Sequence, residues 1–183
     1  MPSRPRLRQD GVSADRGREL GVPKVQVDGF LADSVVRSEG KLYVQGAGWN
    51  RITASLFPAV HDRIGIGLLF SVEPGGSNDP HRFEIRLEDA EGNELSFGPA
   101  PSATDAPGGP PTRIGGEFTT GSTAEDEEQL VAMAINLNGM SFARPSAYRF
   151  VVSVDGNDVK VLPFRVQALA AQAPQVTGGG GYL

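Results

Sequence analysis

The stretch Arg63-Ile64-Gly65-Ile66-Gly67-Leu68-Leu69-Phe70-Ser71-Val72 decides how this chain folds. Read with alternating side chains, Ile64, Ile66, Leu68, Phe70 and Val72 fall on one face. Gly65, Gly67, Leu69 and Ser71 fall on the other. Such a period of two describes a β-strand with one buried face. The two glycines predict that another backbone, or a large side chain, packs closely over the second face. Gly65-Ile66-Gly67 is not a nucleotide fingerprint, because the third Gly is missing and the segment is strand rather than strand–turn–helix.

The same pattern continues outward. From Arg82 to Glu88, Phe83, Ile85 and Leu87 alternate with Arg82, Glu84, Arg86 and Glu88. Opposite charges along the outer face suit a solvated antiparallel sheet. Glu91-Gly92-Asn93 then supplies a turn, and Leu95 and Phe97 begin a returning strand. Tyr148, Phe150, Val152 and Val154 alternate with Arg149, Val151 and Ser153. Asp155-Gly156-Asn157-Asp158 reads as a tight turn, since Gly and Asn tolerate positive φ. Leu162, Phe164 and Val166 complete a hairpin. Pro163 inside its second strand lacks a ladder donor and predicts an edge position or a bulge.

Further strands are expected over 25–36, 41–46, near 53–56 and over 114–119. One segment supports two readings. Ser122-Thr123-Ala124-Glu125 fits a helix capping box, and Glu125 to Ala134 is rich in helix formers. Leu130 to Leu137 is apolar enough for a buried strand. An acidic loop or single helical turn followed by a strand is the expectation.

Eight or nine short strands with Gly, Pro and Asp turns, and no long amphipathic helix, predict an all-β antiparallel sandwich. Tyr148 opens a late strand after the turn 143–147. That placement resembles the tyrosine corner of immunoglobulin-like folds, where the hydroxyl bonds back to nearby backbone. A buried Tyr on a strand face is the plainer alternative.

Composition agrees with one domain. The chain has 183 residues, 39% hydrophobic and 21% charged, with 24 Gly and 14 Pro. No Cys is present, which excludes disulfides, thiolate chemistry and Cys-ligated metals. Two His cannot build a multi-His metal centre, and neither a metal nor another cofactor is expected. Residues 1–24 carry six Lys and Arg against Asp10, Asp15 and Glu19 and read as a disordered basic leader. The sandwich is expected over 25–168, with a Pro/Gly-rich surface loop at 98–113 and a flexible Gly-rich tail at 169–183. The body has a net charge of −8, which disfavours nucleic acid as a partner of the folded part. Neither a membrane-spanning run nor a secretory apolar stretch is evident, so the expected compartment is the cytoplasm.

Candidate chemistry is sparse. His61, beside Asp62, follows Phe57-Pro58-Ala59-Val60 in an expected loop entering a strand. His81 follows Asn78-Asp79-Pro80 and reads as a turn or surface residue. No Ser lies in a G-x-S-x-G elbow, and no catalytic residue is assigned. Asp28, Asp33, Asp62, Glu84, Asp89 and Glu91 offer carboxylates, but no spacing shows that a pair converges. Trp49 lies beside flexible residues at a strand end. With Arg51 and Tyr43 it could stack on a sugar or peptide, against the plainer reading of a Trp that plugs one end of the sandwich.

The segments GKLYVQGAGWNRITASLFPAVHDRIGIGLLFSV, HRFEIRLEDAEGNEL and NLNGMSFARPSAYRFVVSVDG, in that order, resemble a family of small bacterial proteins of unknown function. The resemblance runs from about Val25 to Val166. It implies a bacterial β-sandwich and supports the strand over 130–137. It implies no catalytic residues.

The function expected is a non-catalytic module that presents loops or a sheet edge to a protein partner or to itself. The alternatives are a small hydrolase using His61 and nearby carboxylates, and a carbohydrate-binding module using Trp49 and Tyr43.

Overall fold

The computed structural model describes residues 25–73, 79–98, 109–120 and 128–170. The expected leader, the capping box at 122–125, most of the Pro/Gly-rich loop and nearly all of the tail lie outside them. The described residues form eleven strands in chain order. They are β1 (Val25–Ala32), β2 (Ser34–Ser38), β3 (Lys41–Gln45), β4 (Arg51–Ala54), β5 (Ala59–Val72) and β6 (His81–Asp89). Then come β7 (Glu94–Leu95), β8 (Arg113–Phe118), β9 (Gln129–Phe142), β10 (Ser146–Val154) and β11 (Asn157–Ala168).

Eleven strands replace the eight or nine expected, and β5 and β9 have 14 residues each rather than being short. The strand expected over 25–36 is two. It breaks at Asp33, whose N–H donates to Gln45 O at 3.0 Å and starts the β2–β3 hairpin.

Two sheets carry the sandwich. One has the order β1-β5-β9. The other runs β4-β11-β10-β6, and β6 then pairs with β8 along its first part and with β7 near its end. The pairings are antiparallel except β4 with β11, which is parallel. The inner faces meet through Ile64, Ile66, Leu68 and Phe70 of β5 and Phe83, Ile85, Phe150, Leu162 and Phe164 of the opposite sheet, all buried. Phe70 bridges the layers, with ring centroids 5.7 Å from Phe83 and 4.6 Å from Phe118. Burying this many large apolar side chains is the dominant favourable term in folding.

Tight turns set the registers. Asp155 and Gly156 adopt φ of 50° and 81° between Val154 and Asn157, and two successive positive φ values make a type I′ turn. Glu39 and Gly40 do the same between Ser38 and Lys41. Pro163 sits where its missing donor costs nothing. Arg165 N–H donates outward to Asn50 O at 2.9 Å, so the nitrogen two residues earlier faces the same side, before pairing with β4 begins at Arg165.

Tyr148 is a tyrosine corner. Its hydroxyl donates to Arg144 O at 2.9 Å, and its ring is buried against Phe142 and Phe164. Phe150, two residues on, stands where antibody domains carry the second cysteine of their inter-sheet disulfide. It fills that place by stacking on Phe164, with centroids 5.2 Å apart. The two-layer order and this corner make the fold an immunoglobulin-like sandwich.

The glycine face of β5 is covered as its composition requires. A Cβ on Gly67 would fall on the Phe30 ring. A Cβ on Gly65 would meet Ser34 backbone carbon and Val35 Cγ2 at 3.0 Å. The β2–β3 hairpin therefore lies directly over Gly65.

Candidate functional site

The structure brings together two of the four singled-out residues. Trp49 is half-buried, and its ring stands edge-on to His61 at 6.0 Å and to Phe164 at 6.3 Å. Trp49 packs against the core at this end of the sandwich, and its buried Nε1 has no hydrogen-bond partner among the described residues. Arg51 opens β4 and is exposed. Tyr43 lies on β3 opposite Val36, is 55% exposed, and makes no ring contact among the described residues. A shared stacking surface of Trp49 and Tyr43 is not assembled.

Both histidines depart from expectation. His61 lies within β5, opposite Met140, rather than in a loop, because β5 starts at Ala59. Among the described residues it makes no hydrogen bond or ion pair, so the acid required by the hydrolase reading is not at hand. His81 is buried at the start of β6 rather than on a turn or the surface. Its Nδ1 lies 2.7 Å from Asp155 Oδ2, its ring packs on Phe118, and its buried Nε2 has no partner among the described residues. Alternation could not reveal this, because Asp155 is remote in sequence. No group of three His, Asp or Glu placed to hold a metal occurs among the described residues.

The outer face of the larger sheet carries the expected charge ladder, and its cations are matched. Arg82 donates to Glu84, and Arg113 to Glu94 and Glu84. Arg86 grips Asp158 with two hydrogen bonds of 2.7 Å and donates to Glu88 at 2.7 Å. Glu88 is buried and also accepts from Arg149 at 2.6 Å. The Arg86 hydrogen bond, more than any other influence, holds the Glu88 carboxyl below its usual range. These arginines are engaged by carboxylates on their own sheet.

The edge of β9 is different in kind. Among the described residues, β9 has one strand neighbour, β5. Of the eleven strands it alone has neither a charged residue nor a histidine. Its second half is engaged: Asn136 accepts from Val35 N–H at 3.1 Å and donates to Val35 O at 2.7 Å, and Ser141 N–H donates to Gly98 O at 3.2 Å. Between them and the strand start lies Leu130-Val131-Ala132-Met133-Ala134-Ile135, six apolar residues, with Leu130 63% exposed. Edge strands are usually guarded by Lys, Pro or an inward charge, and this run has none. The apolar composition of 130–137 was readable from sequence; its place at an edge was not.

Residues 28–167 match the model of a family of unknown function, DUF6941. The chain belongs to that family. The match runs from within β1 to the last residue but one of β11, close to the span expected from sequence. No curated protein matches the chain. Among solved structures, an alkylpurine DNA glycosylase, AlkC, from Pseudomonas fluorescens, bound to DNA containing an abasic site analog, is 10% identical with a TM-score of 0.36. That match covers 79% of this chain but 30% of the glycosylase, so the chain spans under a third of that protein's length. An immunoglobulin-like protein from Pseudomonas aeruginosa is 13% identical with a TM-score of 0.33, over 78% of this chain and 96% of that one. Likeness at these levels says nothing of partner or activity. No helix of the described residues is long and apolar enough to cross a membrane.

Proposed function

We propose that this DUF6941 chain is a non-catalytic β-sandwich module that takes up a protein partner by adding the partner's strand to the open edge of β9. The observation that carries this reading is the uncharged run 130–135 on a strand with one strand neighbour among the described residues. Strand addition draws affinity from main-chain hydrogen bonds, which an unpaired edge offers at alternate residues. Six apolar residues on such an edge are also an aggregation hazard unless something covers them. His61, with no hydrogen bond or ion pair to an acid among the described residues, gives the hydrolase reading no comparable support.

Amide hydrogen exchange tests the proposal. Complexes recovered on the tagged protein from its host lysate are compared with the protein stripped of partner. Slower exchange at 130–135 in the complex is the expected result. Unchanged exchange along β9, with protection elsewhere, would overturn it.

A further inference from the structure

Resting on that reading, we infer that the strand taken up by β9 is β9 of a second copy of this chain, paired antiparallel across a twofold axis. The argument is one of self-complementarity. A twofold interface sets each patch against itself, so any net charge at its centre faces like charge and repels. Ten of the eleven strands carry at least one charged residue; β9 carries none. Its apolar run meets the condition that the other strands fail.

The chain as a whole is acidic, at a net charge of −5, yet most ion pairs of the described residues lie on the other sheet, across β6, β7, β8, β10 and β11. The one that reaches the β9 sheet, Lys160–Asp28, touches β1 at its far edge. Beyond about 8 Å such charges are largely screened at physiological salt. Pairing two β9 strands would join two three-stranded sheets into one of six, β1-β5-β9 continuing into its symmetry copy. It would also cover Leu130, which the monomer leaves exposed. Ala132, already buried in the monomer, and half-buried Ala134 alternate with the core-packed Val131, Met133 and Ile135, and both are small enough to allow close approach. In an antiparallel pair centred on Met133, Ala132 of one copy lies opposite Ala134 of the other.

Light scattering after size exclusion reads the outcome on the full chain. The wild type is expected at twice 19.3 kDa, and unchanged between low and high salt, since no charge pair holds it. Ala134→Lys and Ala134→Glu should each run at the monomer mass, and an equal mixture of the two should recover the doubled mass. Misfolding would not give that recovery. Leu130→Asp, at an already exposed position, should also be monomeric without touching the core. A wild type at 19.3 kDa overturns the self-pairing. If such a monomer still binds another protein with protection at 130–135, strand addition on β9 survives. If the wild type is a dimer that Ala134→Lys, Ala134→Glu and Leu130→Asp all leave intact, the self-pairing through β9 is overturned as well.

Discussion

His81 Nδ1 and Asp155 Oδ2 lie 2.7 Å apart, tying the first residue of β6 to the turn between β10 and β11. Asp155 Oδ1 also accepts from Arg82 N–H at 2.9 Å. The other ring nitrogen, Nε2, is buried where the ring packs on Phe118, and it has no hydrogen-bond partner among the described residues. Partial burial raises the Asp155 carboxyl, but the hydrogen bonds from His81 and Arg82 outweigh it, and the net effect is a lowered pKa.

A depressed carboxyl contributes stability above its unfolded pKa of about 3.9, and that contribution is lost as pH falls through the folded value. Asp155→Asn keeps a residue that tolerates the positive φ of the turn, but it removes the charge and turns one of the two accepting oxygens into an NH2 donor. It should cost about 1–2 kcal/mol at neutral pH and much less near pH 3. Urea unfolding at the two pH values measures this. An equal loss at both would show that the charge is not the source.

Gly65→Ala should unseat the β2–β3 hairpin. The new methyl would crowd Ser34 C and Val35 Cγ2 at 3.0 Å and Ser34 Cα at 3.1 Å, and the two Ser34 atoms are backbone, which cannot swing aside. A destabilisation of about 1–3 kcal/mol is expected, with faster cleavage by a protease at the Glu39–Gly40 turn. A variant as stable and as resistant as wild type would show that the hairpin does not rest on β5.

Tyr148→Phe removes the corner hydroxyl and keeps the ring. The donated bond to Arg144 O is lost, and the loss should be about 1 kcal/mol. Burial raises the Tyr148 pKa, so the hydroxyl remains a donor through the usual range of assay pH. In urea the midpoint should fall while the slope is kept, because the surface exposed on unfolding is the same. An unchanged midpoint would mean that water replaces the bond at no cost.

Much of this fold was legible because its signals are local. Alternation from Ile64 to Val72 showed the second part of β5, Asp155-Gly156 the last hairpin, and the two glycines of β5 implied a cover that Phe30 and Ser34 supply. What was hidden depends on pairing across long distances. Asp33 breaks the first apolar run because Gln45 accepts its N–H, and nothing near Asp33 announces it. His81 looks like a turn residue until Asp155 is brought beside it. Leu130 to Leu137 reads as a buried strand, and composition cannot distinguish a centre strand from an edge.

The parallel pairing of β4 with β11 has a consequence for the order of assembly. Thr53 meets Gln167 across a separation of 114 residues. Closing a loop of that length costs on the order of 4 kcal/mol in chain entropy beyond a constant. At 5–20 residues per second, a ribosome finishes β11 roughly ten seconds after β4. Throughout that interval Ile52 and its neighbours have no strand to join, and the larger sheet cannot be completed. Folding of this domain is therefore expected to finish only after its last strand has been made, and to be slow in the manner of all-β proteins with distant pairings.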